Sequence, residues 1–397
     1  MTAMTKQEIL LSLSSLTIFR NLLKKDVMKA FISFLESESE KQNVYNYGEF
    51  VSSLTSYNLN FSDFLMQSLI EDENYYIKSV AAKKPVSPAA KSNLVSELEI
   101  LSSLTKLNKG SLWKNSDYKG YIPDFENTSS DFKEFYTQRL ENVEKCGYGI
   151  FALHGMFRVE NNKIVPVEVA DSISVDSFVG YEQQRQTVIN NTRALTEKRP
   201  AQNILLCGDA GTGKSSTVKA VANALWQDGL RIIEVRKDQL RAIPQILDEL
   251  SINPLKFVLF IDDLSFLKDD DNFNALKAVL EGSVTAKSSN VVIYATSNRR
   301  HIIKEKFSDR EGDDVHRNDT MQELISLSER FGIHVSFSKP NKETFLRIVH
   351  HLAQESGVDT PEAELDAMAE RFALERGGRS ARLAKQFVDG LLSKLDA

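Results

Sequence analysis

Residues 204–217 read ILLCGDAGTGKSST, an apolar run that turns without a break into a glycine-rich loop ending in Lys214 and Ser215. From Gly208 to Ser215 the loop fits the pattern G-x-x-x-x-G-K-[ST], which demands a strand before it and a helix after it. Successive backbone N–H groups must curl inward around a phosphate, and side chains at Gly208, Gly211 and Gly213 would obstruct that curvature. Lys214 supplies a point charge to the β- and γ-phosphates, and Ser215 offers a hydroxyl to Mg2+. The expected cradle comprises Gly208, Asp209, Ala210, Gly211, Thr212, Gly213, Lys214, Ser215 and Ser216, with Lys214 on a solvent-facing loop. Asn203–Cys207 reads as the buried strand. Val218, Val221, Ala222 and Leu225 mark one stripe of a helix whose N-terminus would face the anion. A surface turn rich in small residues accounts for the glycines but not for this flanking pattern.

The second half of a nucleotide site is a buried strand ending in carboxylate, and residues 257–263, FVLFIDD, supply it. Asp262 is the expected holder of Mg2+, and Asp263 the general base that would polarise an attacking water. GTP is disfavoured, because Asn341-Lys342-Glu343-Thr344 lacks the aspartate of a base-reading N-K-x-D. A third apolar strand, Asn290 to Thr296, closes on Ser297 and Asn298, and a polar residue there lies at the ligand edge of an open parallel sheet. Strands are expected over 203–207, 231–235, 257–261, 291–296 and 333–337, alternating with helices as a parallel sheet requires.

With these motifs in this order the chain resembles the AAA+ ATPases. Asn298 falls at their sensor 1 position, and Leu327-Ser328-Glu329-Arg330-Phe331-Gly332 is similar to the segment carrying their arginine finger, which makes Arg330 the finger candidate. Gly377-Gly378-Arg379-Ser380-Ala381-Arg382 opens a helix as their sensor 2 motif does, with Arg382 the better match and Arg379 the fallback. Phe178-Val179-Gly180-Tyr181 is similar to their base-contacting box, so Val179 and Gly180 join the expected nucleotide contacts. More narrowly, GDAGTGKSSTVKA, FIDDLSF, LEG, YATSNRRHI, LSERFG and RGGRSARLAKQFVD together resemble a family of bacterial AAA+ ATPases described only as a domain of unknown function. The resemblance implies ATP and Mg2+ as ligands, a homo-oligomer, and a P-loop NTPase parallel sheet with helices on both faces. One departure is Asp263, where a glutamate is usual in AAA+ proteins. An aspartate is one methylene shorter, and a misplacement of roughly 1 Å costs on the order of 100-fold in rate, so slow hydrolysis is an expectation too.

Four segments follow along the chain: a mostly helical N-terminal domain (1–147), a β-hairpin connector (148–176), the α/β ATPase core (177–339) and a C-terminal helical lid (340–397). In the first, Val27, Phe31 and Phe34 mark one amphipathic helix and Leu94, Leu98, Leu101, Leu104 and Leu107 another, separated by Lys83–Pro88. Residues 111–131 read as a long loop or short helices whose aromatics pack inward. Ile9–Phe19 is apolar but interrupted by serines, and reads as a helix of a soluble bundle rather than a leader. Alternation over Gly149–Leu153, Phe157–Val159 and Ile164–Val167 marks the hairpin, with Asn161-Asn162 as its turn.

A net charge of -6 gives no argument for a nucleic-acid coat or a membrane-surface protein, although Arg236, Lys237, Arg241, Arg299 and Arg300 are local basic residues. Lys304–Asp319 is densely charged with both signs and reads as a mobile insertion without metal-ligand spacing. Two cysteines, Cys146 and Cys207, build no disulfide framework, which suits a cytoplasmic protein, and no transmembrane run occurs. The expected function is an AAA+ ATPase that remodels an unidentified protein or nucleic-acid partner. The alternative is a nucleotide-gated assembly or loading factor with slow hydrolysis. Residues 236–244, RKDQLRAIP, lack the aromatic-apolar-glycine loop of a threading unfoldase.

Overall fold

The structure, a computed structural model, describes residues 4–113, 118–168, 173–264, 271–281, 289–298 and 328–395. Arg299, Arg300, His301, the Lys304–Asp319 segment, Gly282 and Leu327 lie outside these residues. The chain divides into two units, Met1–Leu153 and His154–Ala397.

The first unit is helical. Val27, Phe31 and Phe34 recur at helical spacing on Asp26–Leu35, and Leu94, Leu98, Leu101 and Leu104 on Pro88–Leu104, and all are buried in one core. Pro88 occupies the first turn of its helix, where its missing N–H costs nothing, and Ser87 caps the Ala90 N–H at 3.2 Å. The apolar N-terminal run divides into the helix Lys6–Ser14 and a turn. That turn is fixed by the buried carboxylate of Glu97, which accepts hydrogen bonds from the N–H groups of Thr17, Ile18 and Phe19 at 2.7–3.0 Å. Phe125, Phe132 and Tyr136 are buried as expected, whereas Tyr118 and Tyr121 face solvent.

The second unit is built on seven strands: β1 (Met156–Glu160), β2 (Lys163–Pro166), β3 (Ile204–Gly208), β4 (Leu230–Glu234), β5 (Lys256–Ile261), β6 (Val291–Ser297) and β7 (Ile333–Phe337). Their order is β2-β1-β4-β5-β6-β3-β7, parallel throughout except for the β1–β2 hairpin. Asn161 and Asn162 take φ of 49° and 60°, the left-handed pair that a two-residue hairpin turn needs. The hairpin does not stand apart as a connector: β1 pairs in parallel with β4 and extends the sheet. Gly149–Leu153, expected to continue the alternation, instead contains a single helical turn, Ile150–Leu153, after Gly149 at φ 64°. Five residues span too few periods for a repeat of two to be told from 3.6.

Alternate strand residues face opposite sides of the sheet. Ile204, Leu206, Ile232, Val258, Phe260, Val292, Tyr294, Val335 and Phe337 form one core with Val188 and Leu195 of helix Glu182–Thr196 and with Val218, Val221 and Ala222 of the P-loop helix Lys214–Ala224. Leu205, Ile233, Leu259, Ile261 and Ile293 are buried on the other face, as are Ile243, Ile246 and Leu250 of helix Ile243–Ser251. Helices Lys342–Glu355, Glu362–Glu375 and Ala381–Leu395 make the lid around Phe345, Val349, Leu365, Ala369, Ala384 and Val388. Asn341 serves as an N-cap, its side chain accepting from the Thr344 N–H at 2.8 Å. Parallel sheet, phosphate loop and helical lid together make a P-loop NTPase fold of the AAA+ type, preceded by a mostly helical N-terminal region.

Candidate functional site

The C-terminal ends of β3, β5, β6 and β7 bring the site residues together. Gly208 ends β3 at φ 139°, and a Cβ there would lie 1.9 Å from the Phe337 carbonyl oxygen of β7, so the loop can leave the sheet only through glycine. Gly213 at φ 92° precedes the P-loop helix, and a Cβ on it would meet nothing within 4 Å. No side chain caps this helix, so its first N–H groups are left to an outside acceptor on the open side of the loop.

Lys214 is 5% exposed rather than solvent-facing, which corrects the expectation from sequence. The loop folds over its own lysine: the ammonium donates to the carbonyl oxygens of Gly208 (3.0 Å) and Asp209 (2.7 Å) and to Asn298 Oδ1 (3.0 Å). Burial pushes the Lys214 pKa down, and Asp209 and Asp262 oppose that effect in part. Asn298 reaches on with Nδ2 to Asp263 Oδ1 at 2.7 Å. The Ser215 hydroxyl donates to Asp262 Oδ1 at 2.6 Å. Lysine, amide and the two strand-end carboxylates therefore form one continuous polar surface.

Thr296, unmarked by the sequence reading, lies beneath both aspartates. Its hydroxyl accepts from the Asp263 N–H at 2.9 Å and donates to Asp262 Oδ1. A threonine in an apolar strand reads only as a β-former, so nothing in the sequence announces it. Arg185 was missed for a similar reason, lying in an otherwise polar helix: it is buried and donates to the carbonyl oxygens of Phe178 and Gly180, holding the segment before the P-loop.

The lid closes the other side of the loop. Val179 packs against the lid core, and a Cβ on Gly180 would come within 2.9 Å of Thr344 Cγ2. Arg382 donates its backbone N–H to the Gly211 oxygen at 3.1 Å, and its side chain is exposed. Arg379 is instead engaged by Glu370 through two hydrogen bonds of 2.6 and 2.8 Å. Asp209 accepts from the Lys339 N–H (3.2 Å) at the entrance to the lid. Burial and Asp209 push the Tyr181 hydroxyl up to about 12, so it remains a donor to the Ser338 oxygen at 2.6 Å. A cavity of about 130 Å³ is lined by Gly208, Asp209, Asn298, Ser336, Phe337 and Ser338. Arg330 lies outside this group and pairs with Glu281 of its own chain.

The residues fit a nucleotide and its metal. The cradle is open above Gly213, and among the described residues Asp262 Oδ2 accepts no hydrogen bond, which leaves that oxygen for a metal-bound water. Among the described residues no group of three or more His, Cys, Asp and Glu could hold a metal ion.

A family model described as a protein of unknown function (DUF815) matches residues 152–395. The chain belongs to the DUF815 family. The match takes in the sheet, the phosphate loop and the lid, so the DUF815 region carries the whole candidate site. No curated protein matches the chain. Among solved structures, the RuvB Holliday junction branch migration motor of Thermotoga maritima is 18% identical, with 56% of this chain and 66% of that chain covered at a TM-score of 0.39. A single-site mutant of that motor reaches a TM-score of 0.40 with 67% of its chain covered. No described helix is long and apolar enough to cross a membrane.

Proposed function

We propose that this DUF815 protein binds ATP with Mg2+ and hydrolyses it, using the cycle to remodel or assemble a protein or nucleic-acid partner. One observation carries the reading: a single hydrogen-bonded network joins Lys214, Asn298 and Asp263 on one side and Ser215 and Asp262 on the other. Separate structural roles would not require these five side chains to converge on the open face of a phosphate cradle. Gly208–Ser216 hold the phosphates, Val179 and Gly180 border the base, and Ser215 and Asp262 hold the metal. Bound Mg2+ would supply positive charge against the phosphoryl oxygens. Asp263 takes a proton from the attacking water as the bond to the γ-phosphorus forms and the bond to the ADP oxygen breaks. Asn298 orients that carboxylate. Arg382, exposed beside Gly211, serves as the lid's phosphate sensor, whereas Arg379 is committed to Glu370. Arg330 acts across an oligomer interface.

A second reading, a nucleotide-gated assembly factor with slow turnover, is favoured by the short Asp263 side chain. Steady-state turnover and nucleotide retention of Asp263→Asn test the assignment. Turnover falls by roughly 100-fold or more while ATP stays bound. A variant that hydrolyses ATP at the wild-type rate places the general base elsewhere.

A further inference from the structure

We propose that Thr296 is a positioning residue for this site, setting the orientation of both strand-end carboxylates through one hydroxyl; the proposal rests on the ATPase reading above. Thr296 is 2% exposed, on β6 directly below the β5 terminus. A hydroxyl has one proton and two lone pairs, and here each kind is assigned: the proton goes to Asp262 Oδ1, and a lone pair receives the Asp263 N–H at 2.9 Å. The Thr296 carbonyl oxygen also accepts from the Leu264 N–H at 2.7 Å, so one residue holds the chain on both sides of the bend.

That bend is unusual. Asp263 has φ 52°, a left-handed conformation that L-residues adopt infrequently and that its surroundings must offset. The turn ends the line of β5 and presents the Asp263 carboxylate to Asn298 Nδ2 at 2.7 Å. The Asp263 N–H is shared between the Thr296 hydroxyl, the nearer acceptor at 2.9 Å, and Asp262 Oδ1 at 3.2 Å.

The same hydroxyl decides which oxygen of Asp262 faces outward. Oδ1 collects the hydroxyls of Ser215 and Thr296 and the Asp263 N–H at 3.2 Å. Three donors on one oxygen leave Oδ2 as the ligand-facing atom. Without the Thr296 hydroxyl, Oδ1 keeps only Ser215 and the longer Asp263 N–H contact, and the bend keeps only the Leu264 bond to the Thr296 carbonyl, so both carboxylates are held less tightly. Both aspartates are exposed, so water can satisfy the orphaned groups. The loss therefore falls on placement rather than on folding.

Turnover, ATP affinity without metal, the Mg2+ concentration for half-maximal rate and thermal stability, compared among wild type, Thr296→Val, Thr296→Ala and Thr296→Ser, test this. Valine keeps the shape and branching and removes the hydroxyl. The expected result is a kcat about 10- to 100-fold lower with unchanged metal-free ATP affinity and a raised Mg2+ requirement. Alanine carries the same expectation should valine destabilise the strand, and serine recovers most of the rate. Thr296→Val with wild-type kcat and Mg2+ dependence overturns the proposal alone. A serine variant as slow as valine also overturns it, by assigning the effect to methyl packing. A wild-type protein with no turnover under any Mg2+ concentration overturns the ATPase reading and this proposal with it.

Discussion

Lys214 has three N–H donors, and the protein uses all three internally, on two loop carbonyls and Asn298. A phosphate must therefore displace at least one of these acceptors, and the one it frees on Asn298 is the amide that also holds Asp263. On the proposed reading, displacement of Asn298 would couple nucleotide arrival to the Asp263 carboxylate. The electrostatics follow the same logic. Burial depresses the Lys214 pKa below the ordinary lysine value of 10.5, and a bound triphosphate, adding negative charge, raises it again. Between the two values the free protein has lost a proton that the complex retains, so ATP binding takes up a proton there and weakens as pH rises through that window. Calorimetry of ATP binding in buffers of differing ionisation enthalpy, repeated as the pH is raised, measures this directly: enthalpies diverge between the depressed lysine value and the restored one. Buffer-independent enthalpies there contradict a phosphate contact by Lys214.

Among the elements, the strands of the core were legible from sequence to within a residue, because β3, β5 and β6 are apolar runs bounded by polar or glycine positions, as FVLFIDD is for β5, and β7 alternates apolar with polar residues. What pairs with what was not legible. The β1–β4 pairing joins segments far apart in sequence, and no local pattern at Met156–Glu160 specifies that neighbour. The site was half legible for the same reason. Gly208–Ser215 and Asp262 announce themselves by motif, whereas the burial of Lys214 and the role of Thr296 arise only when β3, β5 and β6 meet. Arg330 illustrates a further limit. It follows the last stretch before β7, as an interface finger would, yet within one chain its guanidinium is held by Glu281 at the end of helix Asp271–Glu281. If Arg330 is the proposed finger, it would have to exchange Glu281 for a γ-phosphate to act on a neighbouring site. Such a finger supplied in trans is worth roughly 10³ to 10⁵ in rate. Arg330→Ala should keep ATP affinity and lose turnover, and mixing it with Lys214→Ala should restore part of the activity through hybrid sites. Normal turnover in Arg330→Ala, or no recovery in mixtures shown to contain hybrids, rejects a shared site.

At the scale of the whole molecule, the phosphate loop is the joint between sheet and lid. Gly208 is locked to β7 by close approach, Asp209 holds the Lys339 N–H, and Gly211 receives the Arg382 N–H, so three successive parts of one loop touch the strand, the hinge and the lid. On the proposed reading, these contacts would let occupancy of the loop set lid position. The proposed function requires ATP to enter the loop. Isothermal titration of ATP with Mg2+ into the wild-type protein and into Lys214→Ala, with folding of both checked by circular dichroism, tests that claim most directly. Loss of charge-assisted hydrogen bonds worth roughly 1.5–3 kcal/mol each predicts saturable binding at one site per wild-type chain and an affinity at least about 10-fold weaker in the folded variant. Undiminished ATP affinity in folded Lys214→Ala, or no saturable binding by the wild type, would contradict it.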